Sequence, residues 1–342
     1  MRIILIGCGV VGRSLLEILS HRKAELVRNY DLHPEVVAVV DKGGATINLK
    51  GLSLERMLLL KTREGTVAAC PRCGHFGMSA LDVIESVEAE VMVEATPTNV
   101  EDGEPGLSNI KTAFKTGKHV ITTNKGPLSL AMPALTELAE HNEVYFRFSG
   151  TVGAGTPILE LAKRCLLGDR IISIRGILNG TTNYSLTEME EKRITFQQAL
   201  ANAQKLGYAE ADPSMDADGI DSACKLVIIA NWIMNKKVAL KNVNIQGVRD
   251  VTLKDLEKAT RKGCTIKLIG SIINDDLKVK PTEIARHDPL CVRGVLNAVT
   301  FVSEFAGEET IIGRGAGGKE TGSAILRDLL DIKQNSASKL TV

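Results

Sequence analysis

The sequence predicts an α/β protein, a Rossmann-type dinucleotide-binding domain joined to a second, α+β domain. Three observations predict it. The apolar run at residues 3–6 breaks straight into Gly7-Cys-Gly-Val-Val-Gly12, the glycine turn that joins a buried strand to a helix. A second apolar run at 36–40 is closed by Asp41. It completes the strand–loop–helix–strand–acid order that sets a pyrophosphate on a helix N-terminus and an acid on a ribose. Beyond residue 242 the pattern becomes one of alternating, antiparallel-type strands.

The totals bound the rest. A chain of 342 residues is long enough for two compact units. Its 42 basic and 41 acidic side chains nearly cancel, which predicts neither a nucleic-acid nor a membrane-surface partner. The first apolar run is too short for a signal peptide. The longest, at 226–234, is interrupted by Asn231 and cannot span a bilayer. Seven scattered cysteines fit a reducing, cytoplasmic setting.

In chain order, the strand at 2–6 leads into a helix with apolar spacing over 11–19. Glycine at Gly7 and Gly9 lets the backbone turn and approach a phosphate, with Val10, Val11 and Gly12 completing the loop. The motif alone is weak evidence, since Gly313-Arg-Gly-Ala-Gly-Gly318 matches it too; only the first copy has a strand and an acid after it. Asp41 argues for a free ribose diol, hence NAD, while Lys42 and Lys61 could instead hold the 2′-phosphate of NADP. Ala69-Cys-Pro-Arg-Cys-Gly-His75 is at best half a zinc site, and a plain polar turn is expected. Strands at 90–96 and 119–123 place Thr96 and Lys125 at strand C-termini, where open α/β sheets bind ligands. A last strand at 144–148 precedes a hinge-like Ser149-Gly-Thr-Val-Gly-Ala-Gly-Thr-Pro157. The expected domains are 1–148 with 313–342, and 149–312.

The second half turns on residues 176–225. A β-rich run at 170–178 breaks into Gly176-Ile-Leu-Asn-Gly-Thr-Thr-Asn-Tyr184. Asn179, Gly180 and Thr181 there offer an amide, free N–H groups and a hydroxyl to a small polar ligand. Thr195-Phe-Gln-Gln198 reads as a capping box opening a helix that runs to Leu206. Then come Leu206-Gly-Tyr-Ala-Glu-Ala-Asp-Pro213 and Asp216-Ala-Asp-Gly-Ile-Asp221-Ser-Ala-Cys-Lys225. Asp221, Lys225, Ile228 and Trp232 share one helical face. A lysine in line with an apolar stripe marks a functional site better than a surface ion pair does. Strands are expected at 242–248, 267–273, 277–283, 297–303 and 310–312, then a helix over 321–332 and a frayed polar end at 335–342.

These words closely resemble the substrate-site motifs of homoserine dehydrogenase, and the resemblance extends to Glu94-Ala-Thr-Pro-Thr-Asn99 and Asn124-Lys-Gly-Pro127. It implies NAD(P)-dependent interconversion of L-homoserine and L-aspartate 4-semialdehyde in threonine and methionine biosynthesis, by a homodimer without the C-terminal regulatory module of longer relatives. It lends Lys225 and Lys125 catalytic roles. Glu210, Asp221 and Asp216 join Asn179, Gly180 and Thr181 around the substrate, and Gly315 joins the cofactor site. It also implies a monovalent cation (sodium) on Ser149, Val152, Ala154 and Thr156. The family usually has Glu-Ala where this chain has Ser149-Gly150, so the site survives if only carbonyls matter. The competing readings are a dehydrogenase for another amino-acid aldehyde and a non-catalytic nucleotide sensor, which would be expected to have lost Lys225 or Lys125.

Overall fold

The computed structural model describes residues 1–339. The chain divides into two compact units, one of residues 1–151 with the segment from Gly317 onward, the other of residues 152–316.

The first unit runs β1 (Arg2–Ile6), α1 (Val10–Tyr30), β2 (Glu35–Asp41), β3 (Gly44–Ile47), α2 (Leu54–Glu64), β4 (Gly74–Phe76), α3 (Ala80–Ser86), β5 (Val91–Glu94), α4 (Gly106–Lys115), β6 (His119–Thr122), α5 (Lys125–His141) and β7 (Phe146–Arg147). Its sheet has the order β4-β3-β2-β1-β5-β6-β7. β2, β1, β5, β6 and β7 pair in parallel, whereas β3 and β4 add antiparallel at one edge. Ile3, Ile4, Leu5 and Ile6 are buried, as a parallel strand covered on both faces requires. α1 outruns the expected helix because Leu26 continues its buried stripe, and Asp31 ends it in the left-handed region. The C-terminal helix Gly318–Lys339 packs on α1: a Cβ at Gly318 would press on Val10 and Ser14, and one at Gly322 on Leu15. The expected fraying at 335–342 is not seen as far as Lys339, where the helix continues; residues 340–342 lie outside the described residues.

The second unit runs α6 (Ile158–Glu160), β8 (Ile171–Ile177), α7 (Gly180–Lys192), α8 (Phe196–Lys205), α9 (Ser214–Ala217), α10 (Ile220–Met234), β9 (Asn244–Ile245), α11 (Leu253–Arg261), β10 (Cys264–Ile273), β11 (Asp276–Ala285), β12 (Leu296–Ser303) and β13 (Gly307–Arg314). The sheet order is β13-β12-β8-β10-β11-β9. The capping box at Thr195 and Gln198 is formed. The strand expected at 242–248 shrinks to two residues, because Leu240–Asn242 turns as a short helix and only Asn244 and Ile245 reach β11. α10 is buried all round from Ser222 to Asn231, so it is a core helix and not a one-faced one.

A buried lysine lies inside this unit. Lys267 on β10 is 2% exposed and donates to Asn183 Oδ1 at 2.7 Å and Thr187 Oγ1 at 3.2 Å. Burial pushes its ammonium down to about 8, with Cys291, Glu190 and Glu191 pulling it up and Arg293 adding to the fall. A folded pKa below the unfolded value of about 10.4 means that the unfolded chain holds the extra proton between those limits. The resulting stability deficit is complete below pH 8 and fades as pH rises through the unfolded pKa, by about 1.4 kcal/mol per pH unit. Lys267→Met should remove this slope: the stability difference between parent and variant should shift in the parent's favour from pH 8 to 10, read by urea unfolding at each pH.

Candidate active site

The first unit builds a dinucleotide cradle from its glycines. Gly7 has φ +98° and a Cβ there would overlap the Ala95 carbonyl oxygen; one at Gly12 would overlap the Gly7 carbonyl oxygen. Gly9 caps α1 with no side-chain hydrogen bond, and a Cβ there would meet nothing within 4 Å. The first and third glycines therefore close the turn and pack helix on strand. The second leaves open space over uncapped helix N–H groups, which fits a pyrophosphate. Val10 is exposed and Val11 half-buried beside it.

At the end of β2, Asp41 turns inward. Its Oδ1 accepts from Gly43 N at 2.9 Å and Thr66 Oγ1 at 2.7 Å, and its Oδ2 from Lys61 Nζ at 2.7 Å and Val67 N at 2.9 Å. Four donors fill the acceptor positions of a carboxylate. Burial would raise its pKa, but the bonds from Lys61, Thr66, Val67 and Gly43 together hold it below the usual range. Lys42 is exposed next to it. The expectation that Asp41 is an open acceptor for a ribose diol thus meets a carboxylate already occupied by the protein, with Lys61 brought alongside.

At the ends of β5 and β6, polar residues interlock. Asn124 caps α5 by accepting from Gly126 N at 3.0 Å and donates from Nδ2 to Thr96 Oγ1 at 3.2 Å and Pro97 O at 3.1 Å. Lys125 is the half-buried first residue of α5. Gly315, expected at the cofactor, belongs to the second unit and lies against the Asn297 amide, while Gly318 meets Val10.

The second unit gathers most of the expected substrate residues. β8 ends at Ile177, and the Leu178 carbonyl after it accepts from Lys225 Nζ at 2.6 Å. The same ammonium donates to Asp221 Oδ2 at 2.6 Å, one turn back on α10. Asn179 caps α7 by accepting from Thr182 N at 2.9 Å and uses its Nδ2 to bind Asp216 Oδ1 at 2.6 Å and Asp221 Oδ2 at 2.9 Å. Thr181 donates to Tyr208 O at 2.9 Å, and Gly180 packs against the Val295 carbonyl. Burial, then the Asp221 charge, pushes the Asp216 carboxyl above its ordinary value. Two acids, one buried ammonium and a helix N-terminus can bind a zwitterion and pass a proton to an oxygen. Glu210 stands outside this cluster: it is exposed, and its carbonyl accepts from Gln204 Nε2 at 3.0 Å.

Sequence reasoning passed over Asn297, 1% exposed on β12, with neither amide atom bonded among the described residues. Its signal was an asparagine inside an apolar strand. Of the expected cation ligands, Ser149 donates its amide to Asp328 Oδ2 at 3.0 Å and its hydroxyl to Asp328 Oδ1. Val152 is buried, Ala154 takes φ +47°, and the Thr156 amide bonds Gly153 O at 2.8 Å.

Residues 157–330 match the homoserine dehydrogenase family, and residues 7–149 match its NAD-binding domain. The chain is 44% identical to a homoserine dehydrogenase of Methanocaldococcus jannaschii over 99% of this chain and 100% of that one. It is 37% identical to an NAD(+)-dependent homoserine dehydrogenase of Pseudomonas canavaninivorans over 99% and 97%. A solved hyperthermophilic archaeal homoserine dehydrogenase in complex with NADPH superposes with a TM-score of 0.86 at 27% identity, covering 98% of each chain.

Cys70 and Cys73 sit in the turn before β4, both thiols 3.7 Å from Pro71 O. Burial, then contact with Cys70, pushes the Cys73 thiol up to about 11. Among the described residues no group of three or more His, Cys, Asp or Glu could hold a metal. The double variant Cys70→Ser, Cys73→Ser should keep parental turnover and cofactor affinity, and elemental analysis should find no stoichiometric zinc in the parent. Zinc present in the parent and lost in the variant would contradict this.

Proposed function

The chain belongs to the homoserine dehydrogenase family, and from that premise we propose that Lys225 is the acid–base group of its reaction. The protein is an NAD(P)-dependent oxidoreductase that interconverts L-homoserine and L-aspartate 4-semialdehyde in aspartate-family amino-acid biosynthesis. The bound nicotinamide supplies the hydride in the reducing direction and accepts it in the other. The carbonyl oxygen then becomes an alkoxide that needs a proton and a positive field, and an ammonium provides both.

The observation that carries this reading is the fixed position of the Lys225 ammonium. It is 7% exposed and bound by the Leu178 carbonyl and the Asp221 carboxylate. Two of its three N–H donors are thereby used, which leaves one for the substrate oxygen. Asn179 steadies Asp221 and Asp216, whose carboxylates suit the substrate ammonium. The free N–H groups of Gly180 and Thr181 at the start of α7 suit its carboxylate. Glu210 enters as a further ammonium ligand only if its exposed side chain turns inward. Lys125 polarises or relays as a second cation.

The finer points belong to the same proposal. A monovalent cation would rest on the carbonyls of Ser149, Val152, Ala154 and Thr156, neutral oxygens of the kind hard cations take; the Asp328–Ser149 bonds put a carboxylate beside the first of them. Homodimerisation is supported by Ile273 and Ile312. Through Ser173 and Ala298–Ile177 they share one sheet face, and both are exposed. Seven free thiols support a reducing cytoplasm, and threonine and methionine are the proposed end products.

The cofactor reading leans toward NADP. With Asp41 occupied and neutralised by Lys61, a 2′-phosphate would meet Lys42 and Lys61 with less repulsion than an open acid would give. Replacing both lysines by alanine should weaken NADP(H) by about tenfold or more and NAD(H) much less, because losing Lys61 also frees Asp41 for a diol. Isothermal titration checks this, and equal losses for both cofactors would rule it out.

Lys225→Met keeps most of the stem while removing the charge. Turnover should fall by about 10²–10⁴, with NAD(P)H affinity unchanged because the glycine loop is untouched. A folded variant that binds cofactor and still oxidises homoserine at near-parental rate would transfer the role to Lys125.

A further inference from the structure

Arg13 is placed against the electrostatics of its own helix. It sits in the opening turn of α1, which carries no acid, where the helix dipole disfavours a cation. Glu17 stands one turn further on, at the spacing of a helical ion pair. The half-buried Arg13 does not take it, and among the described residues it forms no ion pair. The side chain turns back instead. Its Nε donates to the Gly9 carbonyl at 3.4 Å, the oxygen that already accepts from the Arg13 amide at 3.0 Å. Both Nη groups, with four N–H donors between them, have no acceptor among the described residues.

That turn brings the guanidinium to the glycine loop. Gly9 is exposed, and a Cβ there would meet nothing within 4 Å. The first N–H groups of α1 beside it have no side-chain cap. Burial pushes the Cys8 thiol up to about 11, with Lys61 lowering it, Asp41 raising it and Arg13 lowering it in turn. The Arg13 charge therefore reaches into the loop. Open space, bare amides and a cation with unused donors meet there. Arginine stays charged throughout the working pH range, and its planar fork fits two oxygens of a phosphate. A cation at the positive end of a helix costs free energy until an anion joins it. At the end of β2, by contrast, Lys61 is held by Asp41 and the Gly65 carbonyl.

We propose that Arg13 is a ligand of the cofactor pyrophosphate, its Nη groups binding phosphate oxygens alongside the first amides of α1. This rests on the cofactor placement proposed above and extends it from backbone to side chain. The pyrophosphate is common to NAD and NADP, so Arg13 strengthens both alike. The lysines at the end of β2 decide between them.

The test measures dissociation constants of the full chain for NAD, NADP and ADP-ribose, which keeps the pyrophosphate without the nicotinamide, by titration calorimetry at low and high salt. Arg13→Met keeps the stem along α1 and removes the charge. Kd should rise by about tenfold or more for all three ligands, and the salt dependence of ADP-ribose binding should flatten because a charge contact is gone. Unchanged constants overturn the proposal. A loss confined to NADP also overturns it, since the guanidinium would then serve the 2′-phosphate. Equal losses with the parent's full salt dependence overturn it too, as they would mark a disturbed loop and not a lost charge. If the methionine variant does not fold, Arg13→Lys decides: exchanging the fork for a single ammonium should weaken all three ligands by a common, smaller factor, and no loss or a loss for NADP alone overturns the proposal. A parent that binds neither NAD nor NADP overturns the cofactor placement, and the Arg13 assignment with it.

Discussion

An ammonium in the middle of an apolar helix has to find acceptors, or the helix cannot stay where it is. α10 is buried on every side from Ser222 to Asn231, and Lys225 is the one cation within that span. Its two bonds reach outward to Leu178 and back to Asp221. The first ties α10 to the point where β8 stops being a strand. The second sets a carboxylate where Asn179 can hold it, and Asn179 also caps α7. The end of one strand, the start of one helix and the middle of another are thus fixed by satisfying a single charge. Removing one partner of such a group leaves the other uncompensated, so these residues act as a unit.

The first unit meets the same demand with different means. Asp41 is satisfied by four internal donors and Glu94 by three. Both stand at C-termini of parallel strands, where side chains leave the sheet and backbone acceptors run out. One acid has a lysine beside it and the other has only hydroxyls and an amide.

Much of this was legible in the sequence. The order β1, Gly7–Gly12, α1, β2, Asp41 is local, each signal lying within a few residues of the next, and the structure reproduces it. Lys225 and Asp221 were readable for the same reason, being one helical turn apart. What escaped depends on distant partners. β3 and β4 are short and pair antiparallel onto β2, with too few residues for an alternating pattern to stand out. The strand expected over 242–248 alternates well, but only two of its residues find a neighbour. Lys61 is twenty residues from Asp41, so nothing in the spacing announces that it occupies the acid. Glu210 comes from a motif word alone, and its side chain is exposed, an orientation that no local spacing sets.

The chain's return to its first unit follows from the same accounting of charges. Asp328 accepts from the Ser149 amide and hydroxyl, and Asp331 from the Arg147 guanidinium. Both acids lie on the C-terminal helix and are buried. The neighbouring face of that helix carries Ile325, Leu329 and Ile332 into the same apolar cluster as Leu15 and Leu16 of α1. The N-terminal segment would therefore be left with apolar surface on α1 and unsatisfied donors at Arg147 and Ser149 if the helix were absent. The end of β7 and the outer face of α1 are built for a segment that arrives nearly two hundred residues later. A dinucleotide fold completed in this way cannot be cut at the crossing without exposing what the crossing was made to cover.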